Sequence, residues 1–276
     1  PPRSTLFPYT TLFRSPTKED KQMILDKFNL TGNVALVTGA SRGLGQGMAL
    51  ALAEAGANVA LVARTGSALE ETASLIKKTG AKAPVVPADL SISSEAQRVV
   101  NETIGHYGQV DILLNAAGTQ VREPIFEMTE ADYDYLMSVN LKSLYFLSQA
   151  AAKTMVERKK GKIINIASLS SYIGLSNISI YGTSKGGVAS MTRQFAIELA
   201  KSNIQVNAIA PGYFITELTA ALFKDPERAK WVLGKIPLGR TGDAEDLKGT
   251  VVFLASAASD YITGHIINVD GGWLAA

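Results

Sequence analysis

The stretch VALVTGASRGLGQGMALALAEAG, residues 34–56, decides the fold of this chain. It opens with a short run of apolar residues, which is typical of a strand buried on both faces. A glycine-rich turn follows and leads into a helical pattern. Glycines let the backbone approach a phosphate, and the N-terminus of a helix offers free N–H groups and a partial positive charge. Because this turn lies between a strand and a helix, it predicts a phosphate-binding site rather than a plain tight turn.

Six further apolar runs of strand length alternate with helical patterns, and they read NVALVA, APVVPA, VDILLNAA, GKIINIAS, IQVNAIA and HIINVD. This alternation predicts a single α/β domain: a Rossmann-type, doubly wound parallel sheet of about seven strands with helices on both faces. We place this catalytic domain at residues 23–276. Right-handed crossovers bring the carboxyl ends of all strands to one edge, so functional residues should follow the strands.

Composition narrows the possible functions of the 276 residues. Lys and Arg number 27 against 25 Asp and Glu, and the net charge of +2 argues against nucleic-acid binding. There are no cysteines and only 2 histidines, so we expect neither disulfides nor a metal site. No apolar run approaches the ~20 residues of a membrane-spanning helix. We therefore expect a soluble, cytoplasmic protein that acts on small molecules and not at a membrane.

The N-terminal residues 1–22 are predicted to be a non-native or disordered extension of the domain. Their segment TLFPYTTLFRS, residues 5–15, resembles a translated sequencing adapter and lacks the features of a signal peptide. The native start is then Met23, although a genuine mobile extension remains an alternative.

Motifs follow the strands in a definite order. TGASRGLG is followed by DL, NAAG, SVN, NIAS, YGTSK, PG and VDGG. This order resembles the short-chain dehydrogenase/reductase family from about residue 30 to the C-terminus. One departure is Ala116, where the family's usual NNAG has a second Asn, and we expect slightly altered packing there.

The YGTSK motif places Tyr181 and Lys185 four positions apart, on one face of a predicted helix. A phenol can protonate a ketone oxygen or accept a hydroxyl proton, and a nearby ammonium group should lower its pKa. The resemblance implies that Ser168 holds the substrate oxygen and that Asn140 positions a water linked to Lys185. Taken singly, each of these four residues could be merely structural.

Cofactor choice depends on the end of the second predicted strand, where Ala63 is followed by Arg64. An arginine suits the 2′-phosphate of NADP, whereas an acid suits NAD, and Arg42 adds a second cation. We therefore prefer NADP(H), with NAD(H) possible; the alternative is that both arginines are merely exposed charges. The resemblance implies contacts to the adenine from Asp89 and to the nicotinamide from Phe214 and Thr216. The full predicted cofactor set is Gly39, Ser41, Arg42, Gly43, Leu44, Gly45, Arg64, Asp89, Leu90, Asn115, Ala116, Gly118, Tyr181, Lys185, Pro211, Gly212, Phe214 and Thr216.

Segments outside these motifs, such as GTQVREP and GHIINVDGGWL, are similar to the gluconate 5-dehydrogenase and 2-deoxy-gluconate 3-dehydrogenase branch of the family. Arg122, on the loop after NAAG, could bind a sugar acid's carboxylate, or it could simply face water. The predicted substrate residues are Arg122, Ser168 and Tyr181. Alternatives are a 3-oxoacyl-thioester reductase, a broad-specificity carbonyl reductase or, more remotely, a non-catalytic NADP(H)-sensing module.

Two long helical segments, residues 140–157 and 181–200, carry more apolar surface than one sheet face needs. The family pairs these helices across a dimer, so the resemblance implies a homotetramer made of two dimers. If these faces are entirely core, the protein is instead a monomer. His265, Trp231 and Trp273 are expected to be surface or packing residues.

Overall fold

The computed structural model of the chain describes residues 23–216 and 219–276. The predictions for residues 1–22 lie outside this range. Seven strands occur in the described residues, one at each predicted apolar run. They are β1 (Val34–Thr38), β2 (Asn58–Ala63), β3 (Val85–Pro87), β4 (Ile112–Asn115), β5 (Gly161–Ile166), β6 (Ile204–Pro211) and β7 (Ile266–Val269).

The strands form one parallel sheet in the order β3-β2-β1-β4-β5-β6-β7. Both β2 and β4 pair with β1, with Leu36 opposite Ala60 on one side and Leu113 on the other. The strand order therefore reverses between β1 and β4, and a crevice for ligands opens at the carboxyl ends of these strands. This arrangement confirms the predicted doubly wound, Rossmann-type domain.

Helices cover both faces of the sheet. They are α1 (Gly43–Glu54), α2 (Gly66–Lys77), α3 (Glu95–Tyr107), α4 (Glu130–Met137), α5 (Ser143–Arg158), α6 (Ser179–Leu199), α7 (Ala220–Phe223), α8 (Pro226–Gly234) and α9 (Glu245–Ala255). One apolar core packs α3, α5 and α6 against the sheet, and a second packs α1, α2 and α9 against its other face. Because β1 is buried throughout, the glycine turn that follows it is held on a rigid base.

A third, smaller core lies near the carboxyl edge of the sheet. It contains Leu169, Tyr213, Val232, Ile236 and Trp273. This core joins the segment after β5 to the segment after β6 and to the C-terminus. No helix among the described residues has the length and apolar character needed to cross a membrane.

Candidate active site

The glycine turn lies between β1 and α1, as the sequence predicts. Gly39 has φ +67° and Gly43 has φ +57°, a conformation that glycine adopts without strain. A Cβ atom on Gly39 would lie 2.8 Å from backbone atoms of Ala116 and Ala117, so the turn packs directly against the loop after β4. The first turn of α1 carries no side-chain cap, and its N–H groups point toward the crevice end of the sheet.

The end of β1 is fastened to the end of β4 by a residue that the sequence analysis missed. Thr38 Oγ1 accepts hydrogen bonds from the N–H groups of Ala116 and Ala117, each at 3.1 Å. These two bonds hold the loop through its backbone and not through the side chain of residue 116. An alanine can therefore occupy this position. Thr38 was visible in the TGASRG motif, but only the three-dimensional pairing of β1 with β4 reveals its role.

Tyr181 and Lys185 lie in the first two turns of α6, next to the chain that follows β5. The Lys185 ammonium is 5.7 Å from the centre of the Tyr181 ring and donates a 2.7 Å hydrogen bond to the Ile166 carbonyl. Ser168 lies two residues beyond the end of β5, where it begins a short 3-10 turn, and it hydrogen-bonds Tyr181. The structure thus brings the serine, the tyrosine and the lysine to one place.

The pKa values of this group differ from the simple expectation that Lys185 lowers the pKa of Tyr181. Burial raises the pKa of the Tyr181 phenol, and only the hydrogen bond with Ser168 opposes this shift. Burial also lowers the pKa of Lys185 to about 8. Because the pKa of Lys185 lies below that of the phenol, the lysine has already lost its charge at the pH where Tyr181 ionises, so it does not lower the pKa of the phenol. Tyr181 is therefore neutral near pH 7 and able to donate a proton.

Asn140 lies in a π-helical turn, Ser138–Lys142, rather than in a regular α-helix as its sequence context suggested. Its side chain accepts a 2.8 Å bond from the Thr119 N–H and donates a 2.8 Å bond to the Thr119 carbonyl. It also donates to Ser184 Oγ at 3.3 Å. A Cβ on Gly118 would lie 3.5 Å from Asn140 Oδ1 and 3.9 Å from Lys185 Nζ, so the two side chains flank the same glycine.

Arg64 lies exposed just after β2, and Arg42 lies exposed at the start of α1. The Arg64 guanidinium donates a 3.0 Å bond to the Tyr135 hydroxyl. Asp89 accepts bonds from the Ser91 N–H and hydroxyl at 3.0 and 2.8 Å, and these bonds, with the more distant Arg64 charge, lower its pKa. The two arginines and Asp89 surround the carboxyl ends of β1, β2 and β3.

The loop after β6 reaches across to the glycine turn. A Cβ on Gly43 would lie 3.8 Å from Thr216 Cγ2, and the Thr216 N–H donates a 3.0 Å bond to Thr219 Oγ1. The Phe214 carbonyl accepts a bond from the Thr219 hydroxyl. Gly212 donates its N–H to the Val269 carbonyl at 2.8 Å, which fixes the start of the loop. Pro211 itself is the last residue of β6.

Two predicted cofactor residues lie below the surface of the crevice. Leu90 is buried in the core beneath α3. Asn115 is fully buried and donates to Ser148 Oγ at 3.0 Å and to Asn165 Oδ1 at 2.9 Å. Its amide oxygen has no partner among residues 23–216 and 219–276. Ser41 and Leu44 are partly exposed in the glycine turn.

These features fit a nicotinamide dinucleotide. The uncapped first turn of α1 suits a pyrophosphate, and the strand-end arginines suit a phosphate on the adenosine ribose. Gly118, flanked by Asn140 and Lys185, lies on the same edge. Among the described residues no cluster of three or more His, Cys, Asp or Glu side chains could hold a metal ion.

Arg122 lies on the loop after β4, and the adjacent Glu123 N–H donates a 3.0 Å bond to the Asn177 carbonyl. Within the described part of the chain, the one hydrogen bond of the Arg122 guanidinium is a long, 3.4 Å bond to the Ser176 carbonyl. Burial lowers the pKa of Arg122, Tyr213 raises it and Arg228 lowers it further. Neither Tyr213 nor Arg228 was predicted from the sequence to act on Arg122. His265 is exposed, and Trp231 and Trp273 pack edge to face at 5.7 Å.

A Rossmann-type sheet with a Ser–Tyr–Lys group at its carboxyl edge defines a class of oxidoreductases. A family model described as enoyl-(acyl carrier protein) reductase matches residues 39–274. The chain belongs to the short-chain dehydrogenase/reductase family, whose members oxidise CH–OH groups or reduce the corresponding carbonyls with NAD or NADP.

Among particular relatives, the chain is 46% identical over 254 residues to 2-dehydro-3-deoxy-D-gluconate 5-dehydrogenase of Dickeya dadantii (strain 3937), covering 92% of this chain and 100% of that protein. It is 39% identical to 5-keto-D-gluconate 5-reductase of Escherichia coli (strain K12), covering 91% of this chain and 99% of that protein. The crystal structure of a gluconate 5-dehydrogenase from Burkholderia cenocepacia J2315, in complex with NADP and tartrate, matches with a TM-score of 0.88 at 38% identity, covering 91% of this chain and 99% of that one.

Proposed function

We propose that this protein is an NADP(H)-dependent oxidoreductase that interconverts a secondary alcohol and a ketone on a sugar acid, such as gluconate and 5-ketogluconate. The observation that carries this proposal is the grouping of Tyr181, hydrogen-bonded to Ser168, with the buried Lys185. The names of the relatives support a sugar acid as the substrate, since each names gluconate or one of its derivatives.

In the reductive direction, Tyr181 donates its hydroxyl proton to the carbonyl oxygen, and Ser168 holds that oxygen by a hydrogen bond. A nicotinamide bound beside this group would supply the hydride for ketone reduction and would accept it in alcohol oxidation. The Lys185 ammonium stabilises the phenolate that remains on Tyr181. Asn140 borders the same glycine as Lys185 and is placed to order a water that returns a proton to the pair. Oxidation of the alcohol reverses these proton movements.

The preference for NADP(H) rests on Arg64 and Arg42. Guanidinium groups bind phosphate through paired hydrogen bonds, and the chain has Ala63 rather than an acid before Arg64. The Tyr135 hydroxyl holds the Arg64 guanidinium beside the strand end. The relative solved with NADP supports the same choice. Asp89 and Leu90 would border the adenine, and the loop from Pro211 to Thr216 would border the nicotinamide.

The assignment of a sugar acid rests on Arg122, which has no carboxylate partner within salt-bridge distance among the described residues. Its loop follows β4 and lies against the segment between Ser168 and α6 through the Asn177 and Ser176 carbonyls. A carboxylate bound there would orient the carbon chain of the substrate toward Tyr181. We further propose that the enzyme is located in the cytoplasm and that it forms a homotetramer.

A substrate panel tests this function. NADPH oxidation is followed with 5-ketogluconate, with the uncharged ketose fructose and with an acetoacetyl thioester, and the reverse reaction with gluconate and 2-dehydro-3-deoxygluconate. We expect kcat/KM for a sugar acid to exceed that for fructose and the thioester by at least tenfold. A thioester turned over best would replace this function with that of an acyl-thioester reductase. NADPH binding without turnover of any member would favour a sensing module.

A further inference from the structure

A second arginine lies near Arg122, on a different element of the fold. Arg228 belongs to α8, which follows β6, whereas Arg122 follows β4. The aromatic rings beside Arg228 run from Trp231 through Trp273 to Tyr213, and the positive charge of Arg228 makes the smallest of the contributions that shift the pKa of Arg122. Tyr213, two residues beyond the end of β6, acts on the same guanidinium. Three elements therefore bring polar groups together at the carboxyl edge of the sheet.

The Arg228 side chain is held in place by aromatic packing. Its guanidinium lies 4.8 Å from the ring centre of Trp231. The Trp231 ring is 5.7 Å from Trp273, which is 4.9 Å from Tyr213. Since Tyr213 and Trp273 pack with Leu169, the residue after Ser168, this aromatic group extends from Arg228 to the reacting end of the site.

The hydrogen-bonding capacity of Arg228 is not satisfied by the described part of the chain. Its Nε atom is buried and has no partner among residues 23–216 and 219–276. Within the same residues, no carboxylate forms an ion pair with either Arg122 or Arg228. Two guanidinium charges in a partly buried place repel each other unless an anion binds between them.

We propose that Arg228 binds the substrate's carboxylate together with Arg122 and so determines the specificity of the enzyme for acids over neutral sugars. This inference rests on the proposed function and adds a second cation to it. Two guanidinium groups on separate elements can hold both carboxylate oxygens and fix the direction of the carbon chain. The Trp231 ring keeps the Arg228 fork oriented before substrate arrives.

The test compares a sugar acid with its neutral amide in one enzyme preparation. The kcat/KM values for 5-ketogluconate and 5-ketogluconamide are measured in the unmodified enzyme, in Arg228→Gln and in Arg228→Met, which keeps an apolar stem against Trp231. Lys230→Gln removes an exposed positive charge from the same helix and serves as the control. Taking the ratio within each preparation cancels differences in folded fraction.

We expect the ratio of acid to amide to fall roughly tenfold to a hundredfold in Arg228→Gln and Arg228→Met, mainly through KM for the acid. Arg228→Lys should recover part of the loss, and Lys230→Gln should leave the ratio unchanged. The inference is wrong if each variant that folds, whether Arg228→Gln, Arg228→Met or both, keeps the acid-to-amide ratio of the unmodified enzyme. The proposed function would still stand in that case. If the unmodified enzyme turns over no sugar acid, the proposed function itself fails.

Discussion

Lys185 governs how the reaction should depend on pH. Burial lowers the pKa of its ammonium to about 8, whereas burial raises the pKa of Tyr181. Tyr181 therefore stays protonated through neutral pH, and Lys185 is the first of the pair to lose its proton as pH rises. Because only the charged lysine stabilises the phenolate, kcat/KM for ketone reduction should be level below pH ~8 and fall up to tenfold per unit above it.

A pH profile of kcat/KM for ketone reduction, from about pH 6 to pH 10, checks this expectation. NADPH affinity measured at each pH separates the effect on chemistry from an effect on cofactor binding. A profile that stays level up to pH 10 would show that the charge of Lys185 does not limit the reaction.

The sequence predicted that Ser168, Tyr181 and Lys185 act together, and the structure brings them close to one another; the predicted lowering of the phenol's pKa is wrong, because burial raises it. Spacing along a helix places Tyr181 near Lys185, and the motif order places Ser168 with them. The balance between burial and charge depends on how deeply the hydroxyl is buried and on whether the buried lysine still carries its charge. Neither quantity can be read from the spacing of two residues in the sequence.

The end of β2 should decide which cofactor the enzyme accepts. In Ala63→Asp with Arg64→Ser, a carboxylate would stand where the 2′-phosphate binds, and one of its cations would be gone. Each charge-assisted contact is worth ~1.5–3 kcal/mol, so the ratio of kcat/KM for NADPH to that for NADH should fall by two or more decades. Steady-state kinetics with both cofactors measures this ratio.

Lys77→Ser is the matched control for this switch, since it removes an exposed positive charge at the far end of α2. Its cofactor ratio should equal that of the unmodified enzyme. The cofactor assignment is wrong if the unmodified enzyme prefers NADH, or if the double substitution leaves the ratio where it was.

At the level of elements, the strands were the most predictable part of the fold. Runs such as NVALVT are buried on both faces, so their apolar character marks the strand without further context. The π-helical turn around Asn140 was not predicted, because it depends on backbone bonding such as that from the Ser143 N–H to the Ser138 carbonyl, which the motif does not reveal. Arg228 was missed because its importance comes from Arg122, which lies on a different part of the fold, although Trp231 is only three residues away in α8.

The outer faces of α5 and α6 bear on the assembly of the whole molecule. Tyr145, Phe146, Val156 and Ile197 are exposed on these two helices. The surface between the helices forms a groove lined by Tyr145, Gln149, Ala152, Lys153, Val156, Glu157, Phe195, Glu198 and Leu199. An exposed apolar surface of this kind suits pairing with a second copy of the chain, which supports the proposed dimer of dimers.

Light scattering should give a mass four times the 29.3 kDa of the chain. Val156→Glu places a charge in the groove and should shift the mass to that of a smaller species, because an unpaired carboxylate is costly to bury. Ile92→Glu changes an equally apolar, exposed residue after β3 and should leave the mass unchanged. A monomer in the unmodified protein at micromolar concentration would refute the tetramer.

The most direct test of the account is the turnover of Tyr181→Phe. Only the proton-donating hydroxyl is removed, so ketone reduction should be almost abolished while NADPH affinity, measured by fluorescence titration, stays within a few-fold of the unmodified value. Lys185→Ala should instead weaken both the rate and NADPH binding. A near-normal kcat in Tyr181→Phe would contradict the assignment of Tyr181 as the proton donor and, with it, the mechanism proposed for this site.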